Sequence, residues 1–219
     1  MIKEELEPES SGMENYSWPS PRSEPDYPVK TKPLPRELIH AVGVVIIVWN
    51  EIEGLQLDIL RELLGFGLNS GTLRFRMGSR TLEPMGNRAR GDLLRGVISE
   101  LKMAAPVAAA LSAFQSHYDI CLGNRNLIAH SEYIEEEQGV LISSYKATPH
   151  ISGRYIPNDA EFWETTIAEM RRVSDFGFQI VDSVFAEQPD PLPEIPPQPR
   201  DLLKYLQVHR IEPIQDPAS

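Results

Sequence analysis

Three side chains in the run Cys121-Leu122-Gly123-Asn124-Arg125-Asn126-Leu127-Ile128-Ala129-His130-Ser131-Glu132-Tyr133 could do chemistry on a phosphodiester. Arg125 offers a fixed positive charge and five donors, Asn126 offers an amide, and His130 offers an imidazole, a ring suited to proton transfer near neutral pH. In metal-free RNA cleavage an imidazole takes the ribose 2′-OH proton or protonates the leaving oxygen, and a guanidinium offsets the charge on the phosphorane. On a helix Asn126 and His130 are four apart and share a face, with Arg125 a step to the side. A helix ending near 127–130 would also turn its terminal carbonyls toward a cationic imidazole. A plainer reading stands beside this one, in which Asn126 and His130 cap the helix end and satisfy its orphan carbonyls.

The elements that must position these groups are helical. Pro35 suits the first turn of a helix expected over about 36–65, which Gly65 and Gly67 would stop. Its first half, Leu38 to Trp49, is apolar almost all round and should be central or lie at a subunit interface. Glu53 falls on the stripe Trp49–Leu57–Leu60–Leu64, and a carboxylate there needs a partner or a proton. Residues 65–86 read as a loop with at most one short turn. A second helix is expected over about 87–103, with Leu93, Leu94, Val97, Ile98 and Leu101 inward. Pro106 either starts a third helix or kinks a continuous one. From there Val107, Leu111, Phe114, Tyr118 and Leu122 step by three and four, and the next position on that stripe is Arg125.

After His130, Glu132, Glu135, Glu136 and Glu137 read as a solvated turn, and 140–145 with 151–156 as a short β-hairpin. Asn158 or Asp159 caps a last helix over about 160–186. The fold class expected is therefore all-α, an antiparallel up-and-down four-helix bundle with that hairpin and two proline-rich tails. The boundaries are a proline-rich arm over 1–35, a helical domain over 36–187 and a C-terminal tail over 188–219. The arm holds seven prolines and the tail eight, a composition poor in core-forming residues. Within the tail, Asp201-Leu202-Leu203-Lys204-Tyr205-Leu206 is amphipathic, and the sequence leaves open whether it docks on the body or binds a partner.

A net charge of −11 argues against a general polyanion binder. Locally, though, Arg74, Arg76, Arg80, Arg88, Arg90, Arg95 and Lys102 face only Glu83, Asp92 and Glu100, which is either a solvated helix face or a nucleic-acid-facing patch. One cysteine, Cys121, excludes an internal disulfide, and no cofactor or metal site is expected, since His130 and Glu132 are too few ligands. His117 reads as a surface position, and His40 as a core or interface histidine. The apolar run Leu38–Trp49 is short for a bilayer span of about 20 residues, so no membrane partner and a cytoplasmic location are expected.

With fifteen arginines and five histidines, an Arg–His spacing of this kind arises roughly once by chance, so context must carry the signal. That context resembles the HEPN (higher eukaryotes and prokaryotes nucleotide-binding) domain family. Its signature is Arg, four to six residues, then His, most often with Asn directly after the Arg; here it is Arg125-Asn126-Leu127-Ile128-Ala129-His130. The helix around Trp49–Glu53 and the Arg90-Gly91-Asp92-Leu93-Leu94 helix also look like members of the family, and the resemblance covers about 36–186. It implies a helical bundle that homodimerises, bringing two signatures to one cleft. It also implies metal-independent endoribonuclease activity of toxin or antiviral-defence type, beside a nucleotidyltransferase-type antitoxin. Carried over, Arg125 would hold the scissile phosphate, Asn126 position it and His130 act as base or acid, while Glu53 would steady the Arg. Two other readings stay open. Glu53 and Arg125 could be each other's buried counter-ion, and the chain could be a non-catalytic HEPN-like interaction or RNA-binding module that recruits a partner through its tails.

Overall fold

A computed structural model of the chain describes residues 35–136, 139–144, 152–156, 159–186, 191–206 and 208–210. The arm expected over 1–35, apart from Pro35, lies outside the described residues, as do Glu137, His150 and 211–219. What is described is mostly helical: α1 Arg36–Leu63, α2 Leu73–Leu82, α3 Asn87–Glu100, α4 Ala105–Ala129, α5 Ala160–Phe185 and the single turn α6 Leu202–Tyr205. Four strands accompany the helices: β1 Ser131–Glu136, β2 Gly139–Ser144, β3 Ser152–Ile156 and β4 Val208–Arg210.

α1 ends where the glycines predicted it. Gly65 adopts φ +73, the Phe66 N–H donates to the Arg61 carbonyl at 2.8 Å and the Gly65 N–H to the Glu62 carbonyl at 3.0 Å. This pair of bonds is a Schellman cap, and a left-handed residue at that point favours glycine. Phe66 then packs against Gly78, where a Cβ would come within 2.8 Å of the ring. That contact belongs to α2, a helix in a stretch expected to be loop. Its sequence gives little sign of it, because only Gly78 and Leu82 are buried. A tertiary hub holds it instead. The Arg61 guanidinium donates to Asp58 (2.7 Å), Ser79 (3.1 Å) and Glu83 (2.9 Å) and lies 4.6 Å from the Phe75 ring centroid.

The packed pairs fix the helix directions. Trp49 meets Tyr118 at 5.0 Å between ring centroids, and the Gln56 amide donates to Gln115 at 2.9 Å, so α4 runs antiparallel to α1. Ser174 donates to Glu51, and a Cβ on Gly177 would lie 3.0 Å from Leu55 and 2.7 Å from Phe114, so α5 runs parallel to α1 and antiparallel to α4. An alternating order of four helices would leave the first and last antiparallel. α2 supplies the additional element, carrying the chain back from the end of α1 to the start of α3, where Arg90 meets Glu53. The core is one cluster built around Trp49, Ile52, Ile59, Phe114, Tyr118 and Ile180.

Pro106 starts α4 rather than kinking a longer helix, and Asp159 caps α5 by accepting from the Phe162 N–H at 2.9 Å. The expected hairpin is present as β2 and β3, within a larger antiparallel sheet of order β1-β2-β3-β4. Glu132, Glu135 and Glu136 lie in β1, not in a turn; Glu132 opposes Ser143 and Glu135 opposes Val140. The stretch 191–206, read as part of a tail, lies along α4 and α5. Ser183 donates to the Pro191 carbonyl, Arg200 pairs with Glu169 at 3.0 Å, and Leu202 and Leu206 are buried in the core.

Candidate functional site

The end of α4 brings Arg125, Asn126 and His130 together. Arg125 Nη1 donates to Asn126 Oδ1 at 3.1 Å and lies 2.8 Å from His130 Nε2. A guanidinium only donates, so Nε2 presents its lone pair and the ring proton belongs on Nδ1. Asn126 and His130 are exposed and Arg125 is half-buried, with its Nε buried and without a partner. His130 closes the helix through its backbone, whose N–H donates to the Asn126 carbonyl at 3.2 Å. The side chains of Asn126 and His130 converge on Arg125, so the simple capping role does not describe what they do.

Glu53 does not join this group. Its carboxylate takes Arg90 of α3, which also donates to Asn87, and Arg90 is only 4% exposed. No described hydrogen bond or ion pair links Glu53 to Arg125. Helix register explains why. With Trp49 level with Tyr118 and the helices antiparallel, Glu53 lies four residues up α1 and Arg125 lies seven residues down α4. At 1.5 Å per residue the two are about 16 Å apart along the axis. Glu53 therefore serves the fold through Arg90, and takes up neither of the roles expected of it toward Arg125, the steadying carboxylate or the buried counter-ion. Sequence reasoning missed its partner Arg90, though a signal existed. Arg90, Leu94, Val97 and Leu101 fall at i, i+4, i+7 and i+11, a cation on an apolar stripe to match the carboxylate on another.

Asn124, adjacent to the site, has a structural role. Its amide donates to the Arg200 carbonyl at 2.8 Å and accepts from the Leu202 N–H at 2.9 Å, clamping the C-terminal segment onto α4. Nothing in the sequence marked it for that.

The other candidates separate by burial. His117 is buried against Phe176, not on the surface; burial lowers its pKa, and Nδ1 has no partner. His40 is exposed on α1 and not in the core. The Cys121 thiol is fully buried and pushed up to about 12 by burial and then by Glu169, which suits packing and not nucleophilic attack. Burial likewise raises the Tyr118 hydroxyl. Of the basic run, Arg90 is neutralised by Glu53 and Arg95 by Asp92 and Asp119, each at 2.8 Å. Asp92 foremost raises the Arg95 pKa against the opposing effect of burial. Arg74, Arg76, Arg80 and Arg88 stay exposed and form no ion pair among the described residues.

A cavity of about 860 Å³ lies between the first halves of α1 and α5, lined by Leu38, Ala41, Val44, Trp163 and Ile167 among others, and does not include Arg125, Asn126 or His130. Among the described residues no group of three or more His, Cys, Asp or Glu side chains could hold a metal ion. No family model, no curated protein and no solved structure matches the chain.

Proposed function

We propose that this chain is a HEPN-like, metal-independent endoribonuclease of toxin or antiviral-defence type, with Arg125, Asn126 and His130 as its working groups. The observation that carries the reading is the contact of Arg125 Nη1 with His130 Nε2 at 2.8 Å on a solvent-reachable surface. A guanidinium and an imidazole side by side can bind one phosphodiester and move its proton. Arg125 would turn its donors to the non-bridging oxygens, Asn126 would orient the phosphate, and the Nε2 lone pair would take the ribose 2′-OH proton. The 2′-oxygen then attacks phosphorus, the 5′-oxygen leaves with a proton, and the product carries a 2′,3′-cyclic phosphate. A HEPN-like four-helix bundle, a homodimer cleft, a nucleotidyltransferase-type antitoxin and a cytoplasmic setting belong to the same proposal.

The second reading is a non-catalytic HEPN-like interaction or RNA-binding module. One observation favours it: Arg125 has no carboxylate among its described partners to steady it. Incubating RNA with the protein in EDTA decides between them. Cleavage leaving 2′,3′-cyclic phosphate ends, lost in His130→Ala and in Arg125→Met, supports the enzyme. Intact RNA with normally folded protein assigns the module.

A further inference from the structure

α2 is fixed from behind and bare in front. Gly78 and Leu82 face inward, and Arg61 engages Ser79, Glu83 and the Phe75 ring. On the opposite face Leu73, Met77 and Arg80 fall at i, i+4 and i+7, flanked by Arg74 and Arg76. All five are exposed, Leu73 at 66% and Met77 at 54%. A helix that met only water would gain nothing from turning a leucine and a methionine to its outermost line. The charge beside them is equally unmatched. From Gly65 to Gly91 the chain holds no lysine and one acidic residue, Glu83, which Arg61 takes. Arg74, Arg76 and Arg80 form no ion pair among the described residues, in a chain whose net charge is −11.

We propose that this face docks an acidic amphipathic helix of a partner protein, whose apolar stripe seats on Leu73 and Met77 and whose flanking carboxylates pair with Arg74, Arg76 and Arg80. The pattern is that of one side of a helix–helix seam. Leu73 and Met77 stand at d and a, and Arg76 and Arg74 stand at g and e, the positions whose charge selects the partner. Methionine and arginine are concentrated in protein–protein interfaces, where lysine is depleted. Arginine also grips a carboxylate through two parallel N–H donors, which lysine cannot do. The Arg61 contacts and the packing of Phe66 on Gly78 already hold α2 in place, so docking has little helix left to order. A nucleic-acid strand would answer the arginines but set Leu73 and Met77 against its phosphates. A lipid surface would find only two apolar side chains to insert, a narrow face for a membrane-lying helix. The face sits beyond the C-terminal end of α1, whereas Arg125 is level with the first half of α1, so docking here does not depend on the ribonuclease reading.

A synthetic peptide of heptads with leucine at a and d and glutamate at e and g, carrying a fluorescent label, tests the proposal by anisotropy titration with the full chain. The expected result is binding that weakens by about tenfold or more in Arg76→Glu/Arg80→Glu and in Met77→Glu. Thermal melts of both variants should match wild type, because these side chains face outward. The same peptide with lysine at e and g should not bind wild type and should gain affinity for Arg76→Glu/Arg80→Glu. No binding of the glutamate peptide would overturn the proposal, as would equal binding of the lysine peptide. If the glutamate peptide fails while a 2′-deoxy oligonucleotide or phosphatidylcholine–phosphatidylglycerol vesicles bind and are lost in the same variants, the face belongs to nucleic acid or to lipid instead. RNA cleavage is read separately, so the two proposals fail separately.

Discussion

Glu53 offers the sharpest test, because two arrangements of the same residues predict different couplings. Its side chain is 29% exposed and that of its partner Arg90 5%. Removing one member of a buried pair costs about 3–5 kcal/mol, since the remaining charge is stranded. Water can reach the side where Glu53 stood, and Asn87 still accepts from Arg90, so Glu53→Ala should fall near the lower end, about 3 kcal/mol. Glu53→Gln keeps an acceptor but replaces a charge-assisted bond by a neutral one, a loss of about 1–1.5 kcal/mol. For a chain of this size those figures correspond to falls in Tm of roughly 6–12 °C and 2–6 °C. Urea denaturation of a double-mutant cycle separates the arrangements. Glu53→Gln with Arg90→Met should couple by about 1 kcal/mol or more, and Glu53→Gln with Arg125→Met should be additive within about 0.5 kcal/mol. Coupling to Arg125 and none to Arg90 would refute the register drawn from Trp49 and Tyr118, and the site would need redrawing with Glu53 inside it.

The clamp at Asn124 predicts that Asn124→Ala loses two hydrogen bonds, about 1–3 kcal/mol, and speeds limited proteolysis within 191–206; unchanged cleavage there would mean the segment is held by its leucines alone. His117, whose pKa is lowered by burial, binds its proton less readily in the folded than in the unfolded chain. Its contribution to stability is therefore present above the ordinary histidine pKa of about 6.5 and lost as pH falls from there through the lower folded value. His117→Gln should flatten the acid side of the stability–pH curve, read from urea midpoints between about pH 5 and 7.5, and an unaltered slope would place the titrating group elsewhere.

What could be read in the sequence was whatever is fixed by local period and local chemistry. The stripe of α1, its stop at Gly65, the start of α4 at Pro106 and the cap at Asp159 all follow from residues within a turn or two of one another. The misses share a cause in long-range contact. α2 has almost no buried period and is held by Arg61, 18 and 22 residues away from the groups that meet it. β1 has an acidic sequence that suggests solvent, and only the pairing with β2 makes it a strand. The prolines over 191–199 break any helical or strand period, and the amphipathic piece over 201–206 left docking open until the contacts with α4 buried Leu202 and Leu206. Glu53 combines both cases. Its stripe said it needed a partner, while the choice between Arg90 and Arg125 depended on how far α4 slides along α1, which no local pattern encodes.

That choice also bears on how the proposed site would work. A carboxylate against Arg125 would have held the guanidinium in a pair costly to open, with fewer donors left for a phosphate. Without one, Arg125 rests on two neutral acceptors, the Asn126 amide and the His130 ring, both exposed and both within one turn of its own helix. Hydrogen bonds of that kind are exchanged readily for the charge-assisted, bidentate contacts that a phosphodiester offers. On the proposed function the exchange is productive in itself. As the guanidinium turns to the phosphate it releases the Nε2 lone pair, so substrate binding uncovers the base that the reaction requires. Arg125→Lys tests that logic. It keeps the charge and loses the planar fork, so it should retain binding to an uncleavable 2′-deoxy substrate within about tenfold while cleavage falls much further. Equal losses in both would show that Arg125 contributes charge alone and that His130 does not depend on its movement.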